Sequence, residues 1–277
     1  MIAFSRSSNG RRPRAAAGFS LIELAIGIAI IALLLGSLLV PLQSQVESRK
    51  LTDTQKILDN AREALLGYAA ANGYFPCPAD YAGGSNGAEA TGSTHTAGTG
   101  ACPANVTGGV TPSVYIGYLP AVTLGFTPTD TNGYAVDAWQ NRIRYAVSAT
   151  TVNSVNRPFT NSSGMRSALM SNILGATLLS VCNTAAGASN TACASGATTL
   201  TSNAIAVIWS LGANANTPIG GTVSTEEAEN VETRANANRV FVMRDKSNVD
   251  TTEFDDIVVW ISTPILFSRL IAAGQLP

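Results

Sequence analysis

The stretch Gly18-Phe19-Ser20-Leu21-Ile22-Glu23-Leu24 opens an apolar run that continues to Val40 and carries one charge, Glu23. As a helix rising about 1.5 Å per residue, residues 19–40 extend roughly 33 Å, enough to cross a bilayer core. An acid inside such a helix costs roughly 2.5–3.5 kcal/mol on insertion scales, so it calls for a function. The apolar run holds no cation to pair with it. The nearest upstream positive charges are Arg14, Arg12 and Arg11.

Charge fixes a direction. Residues 1–18 hold Arg6, Arg11, Arg12 and Arg14 and no acid. The whole chain has 17 basic and 18 acidic residues, so the part after Gly18 has 13 against 18, near −5. The positive-inside rule keeps the basic segment cytoplasmic and sends the C-terminal part across the membrane. A mildly acidic chain offers no electrostatic footprint for nucleic acid. A secretion signal fits poorly, because no small-x-small cleavage site closes the apolar run.

The same residues resemble the processing site of type IV prepilins and type II secretion pseudopilins: a basic leader, Gly18-Phe19, an acid at the fifth position after the glycine and an apolar helix. The resemblance implies cleavage after Gly18 by prepilin peptidase and N-methylation of Phe19. It assigns Glu23 to assembly with other pilin or pseudopilin subunits. It also implies residence in the inner membrane with a periplasmic C-terminal domain, extracellular if in a pilus. In physical terms, cleavage leaves an ammonium at Phe19 near the hydrocarbon. That ammonium and the Glu23 carboxylate are each costly alone, and the cost falls if they meet, within one helix or between staggered neighbours. A plain signal anchor whose Glu23 snorkels to the interface is the alternative.

Past Pro41 the helix is expected to continue as an amphipathic segment over residues 43–73. Leu51, Leu58, Ala61, Leu65 and Tyr68 form its apolar stripe, and Glu47, Arg49, Lys50, Asp53 and Lys56 its wet face. Asn72-Gly73 is a stop signal. Residues 74–277 then form one domain large enough for a core. Strands are expected at 143–148, 204–210, 240–244 and 257–262, and helices at 165–180 and 265–273. The fold class is α+β: a long N-terminal helix packed on a small antiparallel sheet, which is also what the pilin resemblance implies. Trp139 and Trp260 are expected as core anchors. The stretch 137–145 is similar to the Asp-Pro-Trp-Gly segment of major pseudopilins, with Ala138 and Gln140 where that pattern has proline and glycine. The stretch 254–260 resembles the terminal strand of many pseudopilin-like proteins.

Four cysteines in an exported domain point to disulfides. Three pairings exist, and the two short loops, Cys77–Cys102 and Cys182–Cys193, are preferred. Residues 82–109, rich in Gly, Ser, Thr and Ala, read as a long exposed loop carrying the sole histidine, His95, in solvent. Asp245, Asp250, Glu253, Asp255 and Asp256 cluster in sequence and form a candidate calcium set; some pseudopilins bind calcium in such a loop. No other cofactor is expected. Glu226, Glu227, Glu229 and Glu232 read as a solvated turn or helix face. No nucleophile–base pair, P-loop or dinucleotide fingerprint is present, so the chain is not expected to be an enzyme. Three classes remain: a structural subunit, with the large domain favouring a minor one; a tip-located pilin that binds a surface, DNA or a secreted substrate; and, most weakly, a membrane-anchored periplasmic enzyme.

Overall fold

The computed structural model describes residues 18–82, 84–93, 95, 102–103, 114–152, 155–167, 178–215, 224–231, 238–247 and 253–276. The basic leader expected at residues 1–18 lies outside them except for Gly18. The chain divides into two compact units, Met1–Ser48 and Arg49–Pro277. One helix, α1 (Leu21–Asn72), supplies residues to both.

In the first unit Ser20 caps the start of α1. The Ser20 hydroxyl accepts the Glu23 backbone N–H at 3.2 Å, and its carbonyl accepts that of Leu24 at 3.1 Å. From Phe19 to Leu34 every large apolar side chain is more than half exposed. Among the described residues no helix is long and apolar enough to cross a membrane.

In the second unit the stripe takes its expected place. Leu58, Ala61 and Leu65 are buried, joined by Leu66 and Ala69, while Leu51 and Tyr68 are half-buried at its edges. The helix ends as Asn72-Gly73 predicts: the Gly73 N–H returns to the Ala69 carbonyl at 2.8 Å, with Gly73 at φ +77°.

The stripe packs against one face of a seven-stranded sheet. In chain order its strands are β1 (Val114–Tyr118), β2 (Arg144–Val152), β3 (Val155–Pro158), β4 (Leu179–Cys182), β5 (Thr199–Ser210), β6 (Val240–Val242) and β7 (Ile257–Ser262). Among the described residues four short helices accompany them: α2 (Ala121–Leu124), α3 (Ser162–Ser167), α4 (Thr225–Asn230) and α5 (Thr263–Ala272). The order is β1-β2-β5-β4-β6, with β3 on β2 and β7 on β5. The central strand β5 is long enough to serve several partners. Its first part pairs with β4, and its last part lies between β2 and β7.

The sheet is mixed, where the sequence suggested an antiparallel one. β6 runs parallel to β4, with Ser180 opposite Val240 and Cys182 opposite Val242. The connection between them passes through β5 and α4, and a crossover of that kind returns the chain in its original direction. The helix expected at 165–180 is also corrected. Helix α3 ends at Ser167, residues 168–177 lie outside the described ones, and residues 179–180 belong to β4, whose four residues are all buried. A short, wholly buried strand shows no alternation to distinguish it from a helix segment.

The other face of the sheet carries a second core built around Trp209, Phe241, Ile116 and Val181. Trp209 is fully buried and donates its indole N–H to the Asn230 carbonyl at 2.9 Å. It is the core tryptophan; Trp139 and Trp260, expected in that role, are only half-buried. Gly117 interrupts β1 for a steric reason: a Cβ there would lie 2.2 Å from the Ala79 carbonyl oxygen, which accepts the Tyr118 N–H at 2.9 Å.

Candidate functional site

The N-terminal site begins with the cap. Ser20 and Glu23 stand at N-cap and N3 of α1, the spacing of a capping box. Glu23 thus sits in the first turn, where the helix dipole favours a negative charge. This gives Glu23 a local role beside that of a costly membrane acid, and the Ser-x-x-Glu spacing is the sequence signal for it. Phe19 precedes the cap and is 83 % exposed. Gly18 has open space around its Cα.

In the second unit two disulfides are formed. Cys77–Cys102 and Cys182–Cys193 have Cα separations of 5.6 and 5.7 Å, within the ordinary range. The first is buried in the main core beside Phe75. The second joins β4 to the turn that precedes β5.

His95 is not in solvent. One ring nitrogen lies 2.6 Å from the Thr160 carbonyl oxygen and the other 2.8 Å from the Glu89 carboxylate. Its ring stacks on Tyr74 with centroids 4.3 Å apart. The other Glu89 oxygen accepts the Tyr68 hydroxyl at 3.2 Å. Both histidine partners are acceptors, so the doubly protonated ring satisfies both bonds. Burial alone lowers the pKa of His95, but the Glu89 and Thr160 bonds outweigh it, and the net shift is upward. The described part of the loop expected to be exposed is therefore tied down. Ser85, Gly87 and Ala90 are buried, and a Cβ on Gly87 would lie 1.9 Å from the Gly133 carbonyl oxygen. Cys77, Glu89 and His95 come close enough to suggest a metal trio, but the Cys77 sulfur is committed to its disulfide.

The two acidic runs meet. One carboxylate oxygen from each of Glu227, Asp255 and Asp256 lies within 4.8 Å of the others. Glu227 and Glu226 are buried, which corrects the solvated face expected for them. Glu226 accepts from Thr184 Oγ1 and the Ala185 N–H, both at 2.6 Å, and lies 3.2 Å from Arg244 Nη1. Ser224 caps α4 and presents Glu227. Asn214 Nδ2 donates to both Glu227 oxygens at 3.1 and 3.2 Å and to Glu253 at 2.9 Å. Asp255 Oδ2 accepts the Ala213 N–H at 2.8 Å, whereas its Oδ1 is buried with no hydrogen-bond partner among the described residues. Asn230 donates to Asp256 at 2.9 Å. Burial raises the pKa of all three carboxyls, that of Asp256 well above the usual range.

Of the calcium set expected from sequence, Asp255 and Asp256 are in this trio and Glu253 is tied to it through Asn214. Asp245 remains exposed on a cleft of about 460 Å³ that also touches Asp255 and Asp256. Asp250 lies outside the described residues, as does Glu232 of the other run. Glu227 joins from 28 residues away, a contact that no local spacing signals. Hard oxygen donors of this kind suit calcium.

The segment similar to the pseudopilin Asp-Pro-Trp-Gly pattern forms a turn organised by Asp137. Its Oδ1 accepts the Trp139 and Asn141 N–H groups, each at 2.8 Å, and its Oδ2 accepts the Ser210 hydroxyl at 2.5 Å. Gln140, where that pattern has glycine, adopts φ +70°.

Residues 13–39 match the family model of the prokaryotic N-terminal methylation motif. No curated protein and no solved structure matches the chain. The matched segment contains Gly18, Phe19, the Ser20 cap, Glu23 and the exposed apolar face of α1. The chain carries at residues 13–39 the prokaryotic N-terminal methylation motif, the signature of type IV pilins and pseudopilins.

Proposed function

We propose that the chain is a structural subunit, of the minor kind, of a type IV pilus or type II secretion pseudopilus. Prepilin peptidase removes residues 1–18 and methylates Phe19. Residues 19–42 serve as membrane span and assembly helix, residues 43–73 continue that helix, and residues 74–277 form the globular domain beyond the membrane. The observation that carries this reading is the methylation motif lying on a helix whose large apolar side chains are all more than half exposed from Phe19 to Leu34. Such a stripe on a water-soluble chain would be an aggregation site, whereas lipid and then neighbouring helices can cover it. Mass spectrometry of the N-terminal peptide tests the reading. A methylated Phe19 is expected. An intact leader, or a cut beyond Leu35, overturns it.

The buried trio supports a second, separate reading: Glu227, Asp255 and Asp256 hold a calcium ion. The supporting observation is the buried Asp255 Oδ1, an acceptor with no hydrogen-bond partner among the described residues. Calcium titration of the full-length protein, followed by thermal stability, tests it.

A further inference from the structure

The turn at 137–142 delivers two arginines to one cleft. Arg144 opens β2 and Arg142 stands two positions before it in extended backbone bridged to Val136, so their side chains leave the same face. Together with Tyr118, Gln140, Asn141 and Leu211 they line a cleft of about 270 Å³.

Each arginine is held in place by part of its guanidinium only. Arg142 Nε donates to Asp130 Oδ2 at 2.7 Å, and its Cζ stands 4.1 Å from the Tyr134 ring centroid and 5.4 Å from that of Tyr118. Arg144 Nη1 donates to the Val231 carbonyl at 2.9 Å, and its Cζ stands 5.5 Å from the Tyr81 centroid. Among the described residues nothing accepts from Arg142 Nη1 or Nη2, nor from Arg144 Nε or Nη2. The Gln140 side-chain amide has no hydrogen-bond partner among them either. The donors are thus positioned by stacking and by one anchoring bond each, and the remaining N–H groups are left over where the residues line the cleft.

We propose that this cleft binds a carboxylate group. The planar guanidinium fork matches a carboxylate in two-point geometry, and a stacked, anchored arginine loses little further entropy when it binds one. Among the described residues the only acid that touches either guanidinium is Asp130. The buried Asp256 is reached by the field of Arg144 but hydrogen-bonds Asn230 instead. The patch is therefore locally basic on a chain that is acidic after Gly18. The volume lies below the roughly 300–1,000 Å³ of sites for drug-sized ligands, which fits one sugar ring or one side chain. Tyr118 and Leu211 supply an apolar wall for the carbon frame of such a group. Gln140 belongs to the same argument. A left-handed backbone is strained at a residue with a Cβ, and glycine would avoid that strain. Glutamine at this position adds a polar side chain to the lining of the cleft that the two arginines share.

Two sources present this chemistry, an acidic sugar and an acidic peptide side chain. Full-length protein in detergent micelles is titrated with glucuronate and, separately, with N-acetylglutamate amide. Glucose and N-acetylglutamine amide are the neutral controls, and saturation-transfer NMR is the readout. We expect at least one acid to bind about tenfold or more tightly than its neutral analogue, which identifies the source. Arg144→Lys keeps the charge but loses the fork and should weaken that acid about tenfold. Gln140→Gly should weaken it severalfold while raising thermal stability, so its loss cannot be unfolding. The proposal is overturned if neither acid outbinds its control, or if Arg144→Lys binds like wild type. It goes beyond the assembly role, and N-terminal processing is read independently by mass.

Discussion

The Ser20 hydroxyl accepts the Glu23 backbone N–H at 3.2 Å, so the one acid of the apolar run is also a residue of the helix cap. Two roles for Glu23 follow, and they separate by substitution. Glutamine occupies N3 of a capping box as well as glutamate does, but carries no charge. Glu23→Gln should therefore leave the helix start, membrane retention and processing intact. If Glu23 pairs with the Phe19 ammonium of a neighbouring subunit, incorporation into filaments should fall sharply, because that ammonium loses its partner in a medium of low dielectric. Ser20→Ala should do the reverse, costing about 1 kcal/mol of helix stability while keeping assembly. The measurement is subunit in sheared filaments relative to total membrane subunit. Normal incorporation of Glu23→Gln would return the segment to a plain signal anchor.

Gln140 offers a test of backbone strain. Its N–H donates to the Asp137 carbonyl at 3.1 Å, and that turn holds it at φ +70°. Gln140→Gly should stabilise the domain by about 1 kcal/mol, since the left-handed conformation is free of steric cost for glycine. Gln140→Ala keeps the Cβ and should give no such gain. Chemical denaturation of the three proteins decides it; equal midpoints for glycine and glutamine would mean that the turn carries no strain.

His95 makes stability depend on pH. Its folded pKa is raised, so its contribution is fully present below the unfolded value of about 6.5 and is lost as pH rises through the folded one. Deprotonation leaves two acceptors facing one remaining N–H. His95→Gln should flatten this part of the profile and cost about 1–2 kcal/mol at pH 6. Because the chain has one histidine, a nitrogen-detected NMR titration reports it without ambiguity. A midpoint below the free-histidine value would contradict the bonding to Glu89 and Thr160.

What was legible in the sequence was local. The stripe Leu58, Ala61, Leu65 has helical spacing, and residues 204–210 and 257–262 are β-branched runs, so α1, β5 and β7 could be read from neighbours in the chain. The parallel pairing of β4 with β6 could not, because it depends on where the chain returns after β5 and α4. The same limit hid the polar clusters. Thr160 is 65 residues from His95, so a small polar loop gave no sign of being stapled by its histidine. Glu227 looked like one more surface acid until folding placed it against Asp255 and Asp256. Charge patterns report solvation only where no distant segment covers them.

The carboxylate trio makes the sharpest prediction, because on the calcium reading protons and calcium would compete for the same oxygens. Without a cation, the raised pKa values mean that the folded protein binds more protons than the unfolded chain. Stability is then greatest in acid and falls as pH rises from the ordinary carboxylate range of about 4 through the raised values. The loss is about 1.4 kcal/mol for each tenfold by which burial weakens the acid. Calcium bound to the ionised trio should reverse that loss near neutral pH, and its effect should vanish in acid, where protons occupy the oxygens. Asp255→Asn removes one ligand charge and the partnerless oxygen together. It should flatten the acid-side slope and abolish the calcium effect, whereas Asp245→Asn, altering an exposed side chain, should change neither. Thermal melts of full-length protein at about pH 4.5 and about pH 7, with calcium or with a chelator, separate these outcomes. No calcium effect at neutral pH combined with stability that still falls from acid to neutral would mean that protons alone occupy the trio. Stability that rises over the same range would mean that the three carboxyls are ionised and compensated in the fold, and would remove the case for a cation.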